Sequence, residues 1–377
     1  MSKRVLIARI ITLLIALVAL IYLYSTLTQP VGGNEQASVE NSRLVWAFYG
    51  TGKRVDKLLS KPHGVAVDKN GDIYVSDGRQ RVLVFDRNRR LKATLDPGLD
   101  PKKKNNFRGY LGVAVSDNGN VYIADKVQNK IFIVDPGGRR VGEINVMMPT
   151  ALTVANNKLY AATYGPVIVY DLKGRQLKKF GRRGGGPNQF DFPGGIAADK
   201  KGNIYVSDSN NNRLVAVDPD GKPLWTVGKK GATMNDPNRT FGLPSGLTID
   251  DNEILYMIDA FNGTIYAYNT NGKKLIEIGE WGQKEGQFYY PAGMTFAGGR
   301  AFTIADKYND RLQTIELNVP GVKGAMIRED IVSELLRNPA FLWIIIAFVI
   351  SVCAAIIWRR LQTSKATADA RSIIPGS

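Results

Sequence analysis

Four aspartates are each followed, four or five residues later, by a basic residue. The pairs are Asp77/Arg81, Asp125/Lys130, Asp208/Arg213 and Asp306/Arg311. Carboxylates gathered in a ring could exchange protons or hold a divalent cation. Each of these aspartates, however, ends a strand-like pentad, where a carboxylate accepts N–H groups of the next turn and pairs with the following cation. We interpret the pairs as structural, repeating because the turn repeats.

The sequence contains one histidine, His63, and one cysteine, Cys353. A disulfide within the chain is therefore impossible, and a His/Cys zinc site or a Ser-His-Asp hydrolase would have to rely on His63. His63 lies in KPHG, whereas the matching segments read FPGG (192–195) and YPAG (290–293). We therefore predict no catalytic residue, no metal ligand and no cofactor.

A glycine-rich segment, GRRGGGP (181–187), superficially resembles a phosphate-binding loop. It lacks the Gly-Lys-Ser/Thr ending, and no helical pattern follows it to supply a helix dipole. We interpret this segment as a connector between strands.

Six strand-like pentads organise the middle of the chain. They are IYVSD (73–77), VYIAD (121–125), LYAAT (159–163), IYVSD (204–208), LYMID (255–259) and FTIAD (302–306). A strand follows each pentad, and most have another strand before them. Turns such as DPGG, DLKG and DPDG then lead to a short fourth strand. Four antiparallel strands repeated at this period predict the blades of a β-propeller.

The segment GIAADKKGNIYVSDSNNNRLVAVDPDGKPLWTVG (195–228) resembles an NHL repeat. The first, second, fifth and sixth copies share its pattern, and the resemblance covers about residues 43–317. It implies an all-β, six-bladed NHL-like propeller, a fold that serves many functions. The third copy departs most, with Ala151 in place of the usual glycine and Thr163 in place of the aspartate.

The sixth copy has no fourth strand of its own, because RLQTIEL runs directly into NVPGVKG. Upstream, RLVWAFYGTGKRVDKLLSKPHG (43–64) resembles the fourth strand and connector that precede other copies. We predict that Leu44–Tyr49 completes the last blade, which closes the ring without leaving an open sheet edge.

Two apolar segments flank the repeats. Residues 5–27 carry a single charge, Arg9, and residues 340–358 carry none. As a helix, the uncharged stretch 10–27 is about 27 Å long, close to the hydrocarbon thickness of a bilayer. We predict two transmembrane helices and favour an uncleaved first segment over a signal peptide.

Basic residues flank both segments on the sides away from the repeats, which predicts that both termini (1–4 and 359–377) are cytoplasmic. The propeller (43–317) is then extracytoplasmic, joined by linkers 28–42 and 318–339. Within the second linker, residues 325–338 have the pattern of an amphipathic helix that lies on the membrane, docks under the propeller or forms a simple stem.

The formal net charge is +16, and a basic propeller attracts anionic partners. The predicted location disfavours nucleic acid and favours a protein, an anionic cell-surface polymer or anionic lipid as the partner. Alternation of the strands predicts two faces. The outward face carries the predicted binding residues Tyr164, Arg182, Arg183, Asn210, Asn211, Lys229, Lys230, Phe261, Trp281 and Tyr308. The membrane-facing side carries the predicted cations Arg87, Arg89, Arg90, Arg139, Arg140, Lys173 and Arg175.

Three functions remain open from the sequence. The first is a non-catalytic binding or scaffold module tethered to the membrane. The second, implied by the family resemblance, is a lactonase-like or lyase-like enzyme with a divalent cation at the channel mouth. Amidating lyases of this kind use histidine ligands for zinc, which this sequence cannot supply as a set. The third is a sensor that works through a partner in the membrane.

Overall fold

The structure, a computed structural model, describes residues 41–51, 58–95, 107–109, 111–228 and 240–320. The predicted transmembrane segments 5–27 and 340–358, and the segment 325–338, lie outside these ranges and stay predictions. Within the described ranges, no helix has the length and apolarity needed to cross a membrane.

The described residues form six four-stranded antiparallel sheets, the blades of a propeller, whose strands we call a to d from the channel outwards. The first strand in the chain, β1 (Ser42–Phe48), belongs to blade 6. Blade 1 consists of β2 (Val65–Val67), β3 (Ile73–Asp77), β4 (Arg81–Phe85) and β5 (Leu91–Leu95). Blade 2 consists of β6 (Leu111–Val115), β7 (Val121–Asp125), β8 (Lys130–Val134) and β9 (Arg140–Asn145). Blade 3 consists of β10 (Pro149–Ala155), β11 (Lys158–Thr163), β12 (Val167–Asp171) and β13 (Gln176–Phe180).

A short parallel pair, β14 (Arg182–Arg183) and β15 (Gln189–Phe190), lies in the connector to blade 4. Blade 4 consists of β16 (Gly195–Ala198), β17 (Ile204–Asp208), β18 (Arg213–Val217) and β19 (Pro223–Gly228). Blade 5 consists of β20 (Pro244–Ile249), β21 (Ile254–Asp259), β22 (Thr264–Asn269) and β23 (Lys274–Ile278). Blade 6 consists of β24 (Pro291–Gly298), β25 (Ala301–Asp306), β26 (Arg311–Leu317) and β1. Short 3₁₀ turns, Ser209–Asn211 and Lys307–Asn309, follow β17 and β25.

Strand β1 closes the ring, as the sequence predicted. It pairs antiparallel with β26, placing Leu44 opposite Ile315 and Phe48 opposite Leu312. The strand begins two residues before the predicted start at Leu44 and ends one residue before Tyr49. Each inner strand also contacts the inner strand of the next blade, and β24 contacts β2. The first and last described parts of the chain therefore meet within one blade.

The pentads are buried because the second strand of each blade is covered on both sides by neighbouring blades. All five residues of β3, β7 and β17 are buried. Between blades 5 and 6, the rings of Tyr256 and Phe302 lie with centroids 4.1 Å apart. The core is thus distributed over the spaces between blades, where apolar side chains interdigitate.

Local turn chemistry joins the strands. Between strands a and b of blade 1, an oxygen of Asp68 accepts the backbone N–H groups of Asn70 and Asp72, each at 2.9 Å. In blade 4, the hydroxyl of Tyr205 donates to Asp199 at 2.9 Å. These acidic residues satisfy turn N–H groups, as expected for Asx turns.

Glycines near the start of the inner strands allow neighbouring blades to approach closely. A Cβ atom at Gly195 would lie 2.5 Å from the carbonyl oxygen of Ser245, and one at Gly246 would lie 2.7 Å from that of Ala292. His63 and the corresponding residues of the other inner strands line a central cavity of about 60 Å³, enough for a few waters. The propeller is therefore tightly packed around its axis.

Candidate functional site

The turns between strands b and c and the connectors between blades lie on one side of the propeller, which we call the connector face. The opposite side, the turn face, carries the a–b and c–d turns. This division follows from the alternating strand directions. The described members of the predicted binding set belong to connector-face segments, and the predicted membrane-facing cations belong to turn-face segments.

The Asp306/Arg311 pair lies inside the connector face and is structural. One oxygen of Asp306 accepts a hydrogen bond from the Tyr289 N–H at 2.8 Å, and the other accepts one from Nε of Arg311 at 2.8 Å. Arg311 is 1% exposed. Its guanidinium also donates to the carbonyl oxygens of Lys284 (2.6 Å) and Gln287 (2.9 Å). The pair therefore fixes the connector of blade 6 to its strands.

The Asp208/Arg213 pair repeats this arrangement in blade 4. Asp208 accepts the N–H of Asp191 at 2.7 Å and Nε of Arg213 at 2.8 Å. Arg213 donates to the carbonyl oxygens of Gly185 and Gly186, both at 3.1 Å. The segment GRRGGGP is thus held as a connector, as predicted.

Burial raises the pKa of the Asp208 and Asp306 carboxyls above the ordinary value. The hydrogen bonds and the arginine charges act in the opposite direction. The increase in pKa caused by burial is therefore larger than the decrease caused by the hydrogen bonds and the arginine. Removal of the arginine would raise the pKa of either carboxyl further.

Blade 2 differs from the prediction. Asp125 accepts the N–H of Arg108 at 2.6 Å and Nε2 of Gln128 at 2.7 Å. Lys130 pairs instead with Glu143 on the neighbouring strand, at 2.8 Å. The predicted Asp125/Lys130 pairing is therefore wrong.

Blade 5 has an aspartate that the pairwise pattern missed. Asp259 accepts the N–H of Leu243 and the side-chain amide of Asn262, both at 2.9 Å. A strand-b aspartate thus holds a connector even where no arginine follows it. Among the described residues, no three His, Cys, Asp or Glu side chains are grouped as a metal site would require.

An aromatic patch covers the connector face at blades 5 and 6. We define it by its members, which are Phe261, Trp281, Tyr289, Tyr290 and Tyr308. The ring of Tyr290 lies 5.6 Å from that of Phe261 and 5.1 Å from that of Tyr308, and the rings of Trp281 and Tyr289 are 4.9 Å apart. Trp281 is 51% exposed and Tyr308 is 44% exposed. The structure thus brings together three predicted residues and adds two neighbours, which the QFYY segment could have suggested.

Two of the other predicted residues form a second aromatic contact. The Arg183 guanidinium lies 4.2 Å from the centre of the Tyr164 ring. That ring packs edge-on against Phe192, with centroids 5.7 Å apart. Arg182 is exposed beside them.

Asn210 and Asn211 separate in the structure. Asn210 is exposed, whereas Asn211 is completely buried. The amide of Asn211 donates to Asp208 at 2.7 Å and to the Gly184 carbonyl at 2.8 Å. Asn211 is therefore not available to a partner, which corrects its predicted role. Lys229 and Lys230 lie outside the described residues.

The predicted membrane-facing cations are partly neutralised by acids of the same hairpins. Arg139 pairs with Asp135, Arg175 with Asp171 and Arg140 with Glu143. The Arg89 guanidinium lies 5.2 Å from the centre of the Trp46 ring. The remaining members of the set, Arg87, Arg90 and Lys173, are exposed.

Comparison with known sequences identifies NHL repeats in the chain. The NHL repeat family matches residues 59–85 and 190–217. Human NHL repeat-containing protein 2 is 40% identical over 84 residues, which are 20% of this chain and 12% of that protein. Mouse peptidyl-glycine alpha-amidating monooxygenase is 26% identical over 137 residues, 34% of this chain and 14% of the relative. The chain thus spans only about one eighth of these relatives.

Comparison with solved structures supports the propeller fold. A streptogramin B lyase structure matches with a TM-score of 0.52 at 16% identity, covering 74% of this chain and 99% of that one. A Bacteroides thetaiotaomicron protein of unknown function matches with a TM-score of 0.56 at 16% identity, covering 74% and 76%. At this identity the likeness concerns the fold alone.

Proposed function

Because the chain carries NHL repeats on a six-bladed propeller, we propose that it is a non-catalytic binding module for a protein partner. The observation that carries the proposal is the aromatic patch. Five aromatic rings are in contact, and Trp281 and Tyr308 remain about half exposed. Aromatic side chains bury much apolar area with few rotatable bonds, and they are enriched at the centres of protein interfaces.

The patch has the structural support that an interface requires. Its connector is fixed by Arg311 and by the Tyr289 N–H bond to Asp306. In addition, the Tyr308 N–H donates to the Tyr289 carbonyl at 3.1 Å. Little conformational entropy is therefore lost when a partner covers these rings.

The enzyme alternative lacks comparable support. A lactonase-like site would need carboxylates directed at the channel mouth, and a lyase-like site would need a set of histidines where the sequence has one. The described strand-b aspartates instead accept hydrogen bonds from N–H groups of connectors or b–c turns, from side-chain amides and, in blades 1, 4 and 6, from arginine. These carboxylates therefore have a structural role, because their hydrogen bonds join connectors and turns to the strands.

We expect the double substitution Trp281→Ala/Tyr308→Ala to weaken partner binding at least about 30-fold, the loss typical of aromatic anchors. The partner would be identified by affinity purification from native membranes and mass spectrometry. Its affinity would then be measured with both purified proteins.

The matched control is Leu224→Ala, which removes an exposed apolar side chain of strand β19 outside the patch. This variant should retain full affinity. Equal affinities of the double variant and the wild type would contradict the proposal. If the purification recovers only a polysaccharide, the partner is a polymer and the proposal of a protein partner is wrong.

We further propose that the propeller is tethered through the predicted spans 5–27 and 340–358, with its turn face towards the membrane. The N–H of Asn318 donates to the carbonyl of Asn41 at 2.9 Å. Both chain ends therefore leave the propeller at one place, at the turn-face end of β1 and β26. Each exposed cation there would add up to about 1 kcal/mol near anionic lipid, and the local ion pairs reduce this gain.

Single-cysteine labelling would test the orientation, with Cys353→Ala as the background. A bulky, membrane-impermeant thiol reagent should label Asn210→Cys rapidly in intact membranes, because Asn210 is exposed on the connector face. It should label Arg87→Cys slowly, because the membrane shields the turn face. Both variants should react equally fast after solubilisation in detergent. Faster labelling of Arg87→Cys in membranes would mean that the propeller faces the other way.

A further inference from the structure

Three lysines lie at the inner rim of the connector face. Lys126 and Lys307 directly follow the strand-b aspartates of blades 2 and 6, and Lys61 precedes Pro62 and the inner strand of blade 1. Lys61 lies two residues before His63, which lines the central cavity, and the inner strands of blades 6, 1 and 2 contact each other in that order.

The side chain of each of the three lysines lies against an aromatic ring of the connector face. The Nζ atoms of Lys61 and Lys307 lie 6.0 Å and 5.2 Å from the centre of the Tyr308 ring. Lys126 Nζ lies 5.0 Å from the centre of the Phe192 ring, which belongs to the connector of blade 4. Lys126 therefore reaches from blade 2 to the connector that precedes the inner strand of blade 4.

The electrostatics agree with this geometry. Burial lowers the pKa of Lys307, and the positive charges of Lys126 and Lys61 lower it further. Burial also lowers the pKa of Lys126. Charges of one sign, partly removed from water, repel one another. A bound anion would relieve that repulsion.

The backbone holds the residues at the rim in one recurring conformation. Lys61, Met148, Phe192 and Tyr290 each precede a proline with positive φ, at 46°, 44°, 54° and 51°. In blade 2 the equivalent residue is Gly109, with φ 80°. The position thus repeats in five blades, and a cation or an aromatic ring occupies it in blades 1, 4 and 6.

One further contact fixes the position of Lys61. Its backbone N–H donates to Oδ1 of Asp310 at 2.7 Å, which ties the connector of blade 1 to blade 6. Lys61 and Lys307 are therefore held around the same ring, that of Tyr308.

We propose that the channel mouth binds an oxyanion carrying two or more negative charges, held by Lys61, Lys126 and Lys307 between Phe192 and Tyr308. Phosphate groups and clustered carboxylates share this chemistry. The proposal goes beyond the binding of a protein partner, because a small anion can occupy the site alone.

Calorimetric titration of the full-length chain in detergent, at constant ionic strength, would test the proposal. The probes are pyrophosphate and tricarballylate, one for each source of the charge. We expect saturable binding of at least one probe, and the tighter probe identifies the source. Lys126→Met should weaken that binding at least tenfold. Lys69→Met, the same change at an exposed lysine of the turn face, should leave it unchanged.

Absence of saturable binding up to about 10 mM of either probe would overturn the proposal, as would equal affinities of Lys126→Met and Lys69→Met. If Lys126→Met melts lower than the wild type, Lys307→Met replaces it under the same criteria. Trp281→Ala should retain anion binding, because this residue is absent from the proposed anion site. Failure of the anion site and failure of the protein interface are therefore distinguishable.

Discussion

Deletion of residues 42–48 should lower the melting temperature of the full-length chain by about 10 °C or more, or cause it to aggregate. The deletion removes strand β1, so β26 becomes an open edge that can pair with another chain. It also removes the packing of Phe48 on Phe85 of blade 1, whose rings lie 4.9 Å apart. Phe48 is partly buried, so the about 3–5 kcal/mol that a fully buried aromatic side chain contributes is an upper limit for this loss.

Differential scanning fluorimetry and size-exclusion chromatography would measure both effects. Val45→Ser is the matched control, because Val45 belongs to the same strand but its side chain is exposed. The control should melt within about 2 °C of the wild type, as surface substitutions usually do. A deletion variant with wild-type melting and a wild-type elution profile would show that the ring does not depend on β1.

Arg311→Met should reduce the free energy of unfolding by about 3–5 kcal/mol, because it leaves the Asp306 carboxylate buried without its cation. The substitution also removes the donors to the Lys284 and Gln287 carbonyls. Urea denaturation followed by tryptophan fluorescence would give the free energy. Arg175→Met is the control, since the side chain of Arg175 is 78% exposed in its pair with Asp171, and such pairs contribute about 1 kcal/mol or less.

The difference in the free energy of unfolding between wild type and Arg311→Met should become smaller as the pH falls from 7 towards 5. Without the arginine, the pKa of Asp306 in the folded state rises further above its value in the unfolded state. A carboxyl with a raised folded pKa binds its proton more tightly in the folded chain, so acid stabilises the variant relative to the wild type. A difference that is constant over this range would show that Asp306 does not depend on Arg311.

The repeated elements were predictable because their signals are local. Each pentad, its turn and its following strand lie within about 40–50 residues, the length of one blade. Even closure by β1 could be predicted, because the sixth copy ends without a fourth strand. The ion pairs of Arg139 and Arg175 are equally local, since Asp135 and Asp171 lie four residues earlier.

The candidate sites were less predictable, because they depend on contacts between blades. Tyr290 contacts Phe261 in blade 5 and Tyr308 in blade 6, and no local pattern places these rings together. The three rim lysines come from blades 1, 2 and 6. Asn210 and Asn211 are adjacent and of the same type, so the sequence does not distinguish them. The orientation of the 3₁₀ turn decides which of the two is buried. The partner of Lys130 likewise depends on the register between β8 and β9. In that register Glu143 lies opposite Phe132, two residues from Lys130, and within reach of the lysine.

The contact between Asn41 and Asn318 has a mechanical consequence. The two chain ends leave the antiparallel β1–β26 pair from the same end, so a force that separates them loads the ladder bonds one after another, starting at Ser42 and Leu317. This is the geometry of a zipper, which opens at lower force than a pair sheared along its length. In the tethered arrangement that we propose, movement of the two spans away from each other would therefore open blade 6 before any other blade. A force applied at Asn41 and Asn318 therefore acts first on the strand pair that closes the ring.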